Sequence, residues 1–195
     1  MKPISVNRGA LEQMDLSRYS MELKFDGWRI IVILHDGAIR FYTRDKKPVQ
    51  VPEKLRELVK SLRLPEGTVL DGEIWNPEKR AAWTNIDIWD VIKCGHQFMG
   101  ASPIEERRQR LSLLVPDSGD VKRIQVVEPT VEVIKQIEVL AFKNRNQNRL
   151  ESGFIHGVVL KKNGSIRHDT SNRCKEHGDW VKYVFDGMKG YEPRL

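Results

Sequence analysis

Short alternations of apolar and polar positions run along most of this chain, and they predict strands grouped in sets with helices between them. Residues 20–24 read as a strand that ends at the turn-forming pair Asp26-Gly27. Residues 28–34 (WRIIVIL) are apolar and β-branched on both faces, the composition of a strand buried between layers. His35-Asp36-Gly37-Ala38 then turns the chain and residues 39–43 run back, since Asp-Gly is a strong hairpin signal. Residues 52–62 place Leu55, Leu58, Val59 and Leu62 at helical spacing, with Pro52 at the start. Residues 68–75 and 85–92 are further strands. Ser102-Pro103-Ile104-Glu105-Glu106 opens a helix, with serine as cap, proline in the first turn and Glu105 at the capping-box position. Glu128-Pro129 precedes a second long helix, and residues 154–161 and 180–185 supply the last strands. The runs NRNQNRLESG and NGSIRHDTSNRCKEHGD are polar and irregular, as mobile surface segments are. No repeat and no linker marks a boundary, so the expectation is one domain over residues 1–195, of the α+β class with two sheets.

Composition narrows the partners. A chain of 195 residues with 39% apolar and 31% charged residues suits one domain with a sizeable core. Its 33 Lys+Arg against 27 Asp+Glu give a net charge of +6, which favours a polyanion such as nucleic acid. Cys94 and Cys174 are the only cysteines and form no C-x-x-C pair, so neither a disulfide framework nor a zinc site is expected. Cys94-Gly95-His96 reads as a loop for the same reason. With no apolar leader and no stretch long enough to span a bilayer, the expectation is a protein without membrane contact, cytoplasmic or, in a eukaryote, nuclear.

The chemistry begins at Lys24, in Lys24-Phe25-Asp26-Gly27-Trp28-Arg29 between two strand-like runs. A lysine amine is nucleophilic only when uncharged, and an ordinary pKa of about 10.4 leaves roughly one in a few thousand in that form at neutral pH. Neighbouring cations or a bound metal reduce that barrier. Arg29 lies five residues on, across the Asp-Gly bend. On a strand, Glu22 and Lys24 point to the same face and can line one pocket.

The motif Lys-x-Asp-Gly-x-Arg is followed, in order, by Thr43-Arg44, Asp71-Gly72-Glu73, Ile88-Trp89-Asp90, Gly157-Val158-Val159-Leu160-Lys161 and Trp180-Val181-Lys182. This series resembles that of the covalent nucleotidyltransferases, above all the adenylation domain of ATP-dependent DNA ligases, from about residue 22 to 182. The resemblance implies a fold of two antiparallel sheets with flanking helices, ATP-grasp-like; the OB-fold domain that most such ligases carry is not expected here. It implies that Lys24 attacks the α-phosphate of ATP to form lysyl-AMP, that AMP passes to the 5′-phosphate of a nicked strand, and that a 3′-hydroxyl then seals the backbone. Nicked duplex DNA is the implied partner, with RNA the alternative, and Mg²⁺ or Mn²⁺ the implied metal.

By the same resemblance, Glu22 contacts the adenine amino group, which counts against a capping guanylyltransferase. Arg29 and Arg44 carry ribose or phosphate contacts, to which guanidinium forks are suited. Glu73 touches the ribose and helps organise the metal, whereas Asp71 reads as a surface or turn carboxylate. Trp89 stands where the family places an aromatic to stack on adenine. Lys161 and Lys182 reach the phosphates. Arg107 or Arg108, in SPIEERRQRL, is structural or faces nucleic acid.

Three departures stand out. His156 occupies the place of a metal-binding glutamate, and imidazole suits Mn²⁺ or Zn²⁺ better than Mg²⁺, so weaker use of Mg²⁺ is expected. Val184 replaces a second lysine of the Trp-x-Lys-x-Lys pattern. The chain runs only thirteen residues past Lys182, too few for an OB-fold; a minimal ligase, a partner protein that supplies that domain and a piece of a longer chain are all compatible with this. These departures keep open a second class, a degenerate adenylation fold that binds nucleic acid without turnover.

Overall fold

The computed structural model describes residues 2–76, 82–146, 155–167 and 176–185. Their strands are β1 (Lys2–Val6), β2 (Tyr19–Phe25), β3 (Trp28–His35), β4 (Ala38–Thr43), β5 (Val69–Trp75), β6 (Asn85–Cys94), β7 (Gln97–Phe98), β8 (Val121–Arg123), β9 (Val126–Val127), β10 (Ile155–Lys162) and β11 (Glu176–Val184). The helices are α1 (Arg8–Glu12), α2 (Glu53–Ser61), α3 (Ile104–Leu114) and α4 (Val131–Asn146). One sheet has the order β1-β11-β10-β2-β9; the other runs β4-β3-β5-β6-β7, with β8 also on β6. The α+β expectation of two sheets with flanking helices holds. The sheets are mixed rather than wholly antiparallel, because β1 joins β11 and β8 joins β6 in parallel. Such pairs need long connections, here most of the chain for one and the passage through α3 for the other.

Each sheet buries one face under helices. Ile30, Val32, Leu70, Ile86 and Ile88 pack with Leu55 and Val59 of α2 and Leu111 of α3. Met21, Val158, Leu160 and Val181 pack with Leu11 of α1 and Ile134 and Ala141 of α4. Fully burying a leucine or isoleucine contributes about 1.5–3 kcal/mol, so these two clusters hold the layers. Ile31 and Ile33, expected to be as buried as their neighbours, are only half-buried: they share the face of Arg29, away from the helices.

The hairpin between β3 and β4 turns at Asp36 and Gly37, with φ of 52° and 69°, the double positive-φ geometry of a type I′ turn. The start of α3 differs from its sequence reading. The residue ahead of the helix is Pro103, with no side-chain cap, and Glu105 instead accepts a hydrogen bond from the Gly164 amide at 3.0 Å. That bond ties α3 to the turn after β10. Cys94 is free, and Cys174 lies outside the described residues, as do Phe154 and much of the two polar runs. Among the described residues, no helix is long and apolar enough to cross a membrane.

Candidate active site

The chain passes from one sheet to the other at Asp26-Gly27, because β2 belongs to the first sheet and β3 to the second. Lys24 and Arg29 therefore stand on opposite walls of the space between the sheets although five residues separate them. Glycine is required at the crossing: a Cβ at Gly27 would lie 2.7 Å from Glu73 Cγ and from the Ile74 carbonyl oxygen. The close approach lets the Gly27 amide donate to Glu73 Oε1 at 2.8 Å.

The space is a cleft of about 230 Å³ lined by β1, β2, β10 and β11 on one side and β3, β5 and β6 on the other. Lys24, Glu22, Arg29, Arg44, Glu73, Trp89, Lys161 and Lys182 all line it. The ladder explains the grouping. Glu22 pairs with Val159 and Val159 with Lys182, while Lys24 pairs with Gly157, so alternate residues of three strands share the cleft face. The Lys24 amine donates to the Phe25 carbonyl at 3.2 Å. Trp89 is half-buried in the wall rather than in a core, and Arg44 is exposed at the rim beside Asp45.

Glu22 is buried between two cations, with Oε1 2.7 Å from Arg108 Nη2 and Oε2 2.7 Å from Lys161 Nζ. Lys161 also lies 4.4 Å from the centre of the Trp180 ring. Burial lowers the Lys161 pKa from its usual value, and Glu22 works against that. Arg107 is wholly buried and bonded to Asp90 at 2.8 Å, so it is a structural residue, not one facing nucleic acid.

Asp71 is not the surface carboxylate its turn-like motif suggests. It is buried in the middle of β5, gripped by Arg29 through two bonds of 2.9 and 2.6 Å and by Arg167 at 2.8 Å. Burial opposes its charge, yet Arg29 and Arg167 outweigh that and hold the carboxyl well below the usual range. One guanidinium of the cleft is thus preset by a buried anion.

Glu73 is in the opposite state. Burial, with Asp26 and Asp87 nearby, pushes it up to about 7 against the pull of Lys24 and the Gly27 amide. Sequence reasoning missed Asp87. It lies directly across the ladder from Glu73, lines the cleft, and is pushed by burial to about 6. The signal was present: in Asn85-Ile86-Asp87-Ile88-Trp89, alternation puts Asp87 on the face of Trp89. Lys2, at the cleft from β1, was missed as well. His156 is not among the cleft-lining residues; buried, it faces Asp26, with Nε2 3.4 Å from Oδ2.

A family profile described as "mRNA capping enzyme, catalytic domain" matches residues 1–168. The chain belongs to this family. It is 32% identical over 190 residues to the SPbeta prophage-derived DNA ligase-like protein LigB of Bacillus subtilis (strain 168), with 89% of this chain and 63% of that protein covered. The chain therefore spans less than two thirds of that relative's length. Among solved structures, it is similar to a mycobacterial DNA ligase D complexed with ATP and MES, at 18% identity and a TM-score of 0.66, over 94% of this chain and 60% of that one. It is also similar to the ATP-dependent DNA ligase from bacteriophage T7 in complex with ATP, at 15% identity and a TM-score of 0.58, over 94% and 67% of the two chains. The likeness shows a shared fold. The family is named for capping and the similar proteins for ligation, so the fold alone fixes neither the nucleotide nor the acceptor.

Proposed function

We propose that this chain is the nucleotidyltransferase part of an ATP-dependent polynucleotide ligase acting on nicked duplex DNA. The observation that carries the reading is the meeting of Lys24 with Arg29, Lys161, Lys182 and Glu73 in one cleft walled by Trp89. In this reaction the Lys24 amine attacks the α-phosphorus of ATP. A P–N bond forms, the bond to pyrophosphate breaks, and the nitrogen gives up its proton. AMP then moves to the 5′-phosphate of the nick, and the 3′-hydroxyl displaces it.

The chain's own residues supply the surroundings. Trp89 offers a ring for the base to stack on, and Lys182, Arg29 and Arg44 offset phosphate charge. Glu22 has about four lone-pair positions, two of them facing Arg108 and Lys161, so acceptor capacity remains for an adenine amino group. That choice favours ATP over GTP. Glu73 is an oxygen donor of the kind Mg²⁺ takes; bound there, the ion would neutralise phosphate charge. Duplex-clamping contacts would come from an OB-fold domain or from a partner protein.

The test is incubation with ATP labelled at the α-phosphate and a divalent metal, followed by a denaturing gel. Label that stays on the protein and vanishes in Lys24→Ala supports the reading. A wild-type chain that takes up no label while still binding nucleic acid reverses it in favour of the non-catalytic fold. Sealing of nicked DNA against nicked RNA decides the acceptor.

A further inference from the structure

We propose that Glu73 and Asp87 together form the divalent-cation site of the cleft, with Asp87 supplying the carboxylate that His156 does not. The inference deepens the ligase reading and rests on it for the substrate phosphates that would complete the ion's coordination.

Glu73 and Asp87 are directly opposed partners of the antiparallel β5–β6 pair, where facing Cβ atoms lie about 4.5–5.5 Å apart. Both line the cleft. Each is fixed through one oxygen: Glu73 Oε1 accepts from the Gly27 amide at 2.8 Å, and Asp87 Oδ2 from the Trp75 indole at 2.6 Å. The Trp75 ring is itself held by stacking on Phe25 at 4.9 Å. Asp87 is 1% exposed, yet among the described residues its Oδ1 has no hydrogen-bond partner. Among the described residues the closest cation to that oxygen is Lys122 Nζ, 4.0 Å away and too distant to bond, on a side chain partly in solvent that can withdraw.

A buried carboxylate oxygen without a donor is costly unless something positive occupies the space beside it. Mg²⁺ is commonly bound by one or two carboxylates plus substrate phosphates and water, so these two side chains are a sufficient protein contribution. His156 sits against Asp26 and adds no ligand from the cleft wall.

The test is a titration of Mn²⁺ alone into the full chain, with free ion followed by electron paramagnetic resonance. Asp87→Asn is the informative variant, because its amide oxygen can still accept from Trp75. A loss of Mn²⁺ affinity of roughly tenfold or more in Asp87→Asn, matched by Glu73→Gln and with no loss of thermal stability, supports the site. Lys122→Met should bind Mn²⁺ more tightly, since the competing cation is gone. Wild-type affinity in Asp87→Asn overturns the proposal, even if Lys24 labels normally and the ligase reading stands. Conversely, Asp87-dependent Mn²⁺ binding in a chain that never labels would keep the metal site and end the ligase reading.

Discussion

The β5–β6 ladder carries two rungs of facing carboxylates, and their surroundings are opposite. Asp71 faces Asp90, and Glu73 faces Asp87. The first rung is saturated: Arg29 and Arg167 hold Asp71, while Arg107 and Arg167 hold Asp90. The second has Lys24 nearby for Glu73 and Lys122 at 4.0 Å for Asp87. Two strands thus contribute the same side-chain chemistry twice, once as cement and once as a place short of positive charge. Burial alone therefore does not separate the two rungs; the supply of matched cations does.

The largest expected effect falls on the saturated rung. Asp71→Asn removes the buried anion that Arg29 and Arg167 share, and breaking such a pair costs about 3–5 kcal/mol. Denaturant unfolding measures it, and a loss below 1 kcal/mol would erase the distinction between the rungs.

Next comes the pH response of the unsaturated rung in metal-free buffer. Glu73 at about 7 and Asp87 at about 6 hold protons in the fold where the unfolded chain, with ordinary values of 4.5 and 3.8, has released them. Their contribution is therefore fully present at acid pH and is lost as pH rises from about 4 to 7, on the order of 1–3 kcal/mol for each group. Asp71, whose pKa is lowered, acts in reverse, and its contribution disappears only as strong acid protonates it. Thermal melts from pH 5 to 8 should show falling stability that flattens in the double variant Glu73→Gln/Asp87→Asn. A slope unchanged in that variant assigns the response to other groups.

The smallest effect on folding belongs to Arg44. Exposed at the rim, it should change stability by less than about 0.5 kcal/mol on Arg44→Ala, while weakening nucleotide binding measured by calorimetry. Comparable losses in both would make it part of the framework.

Much of the cleft was legible because its residues sit at fixed offsets within strands. Glu22 and Lys24 share a face two apart, Lys161 and Lys182 arrive on neighbouring strands, and the Asp-Gly pair marks the crossing between sheets. What was not legible depends on contacts distant in sequence. Asp71 read as a turn residue because Arg167, its second partner, lies 96 positions on. The strand β1 has only Ile4 and Val6 as apolar signal after Pro3, and its partner is near the other end of the chain. Glu105 carried a local capping pattern, but the turn at Gly164 took its carboxylate. His156 was placed in the site by motif position; in the fold it alternates with Gly157 and Val159 and meets Asp26.

The grip on Glu73 has a further meaning for how this protein tolerates change. The donor is the main-chain N–H of Gly27, which no substitution short of proline deletes, and the crowding around that glycine resists replacement. Drift can strip the acid of its charge, and a glutamine in its place would still be caught through its carbonyl. A Glu73→Gln chain would therefore keep its scaffold, and would be told apart by its chemistry and not by its shape.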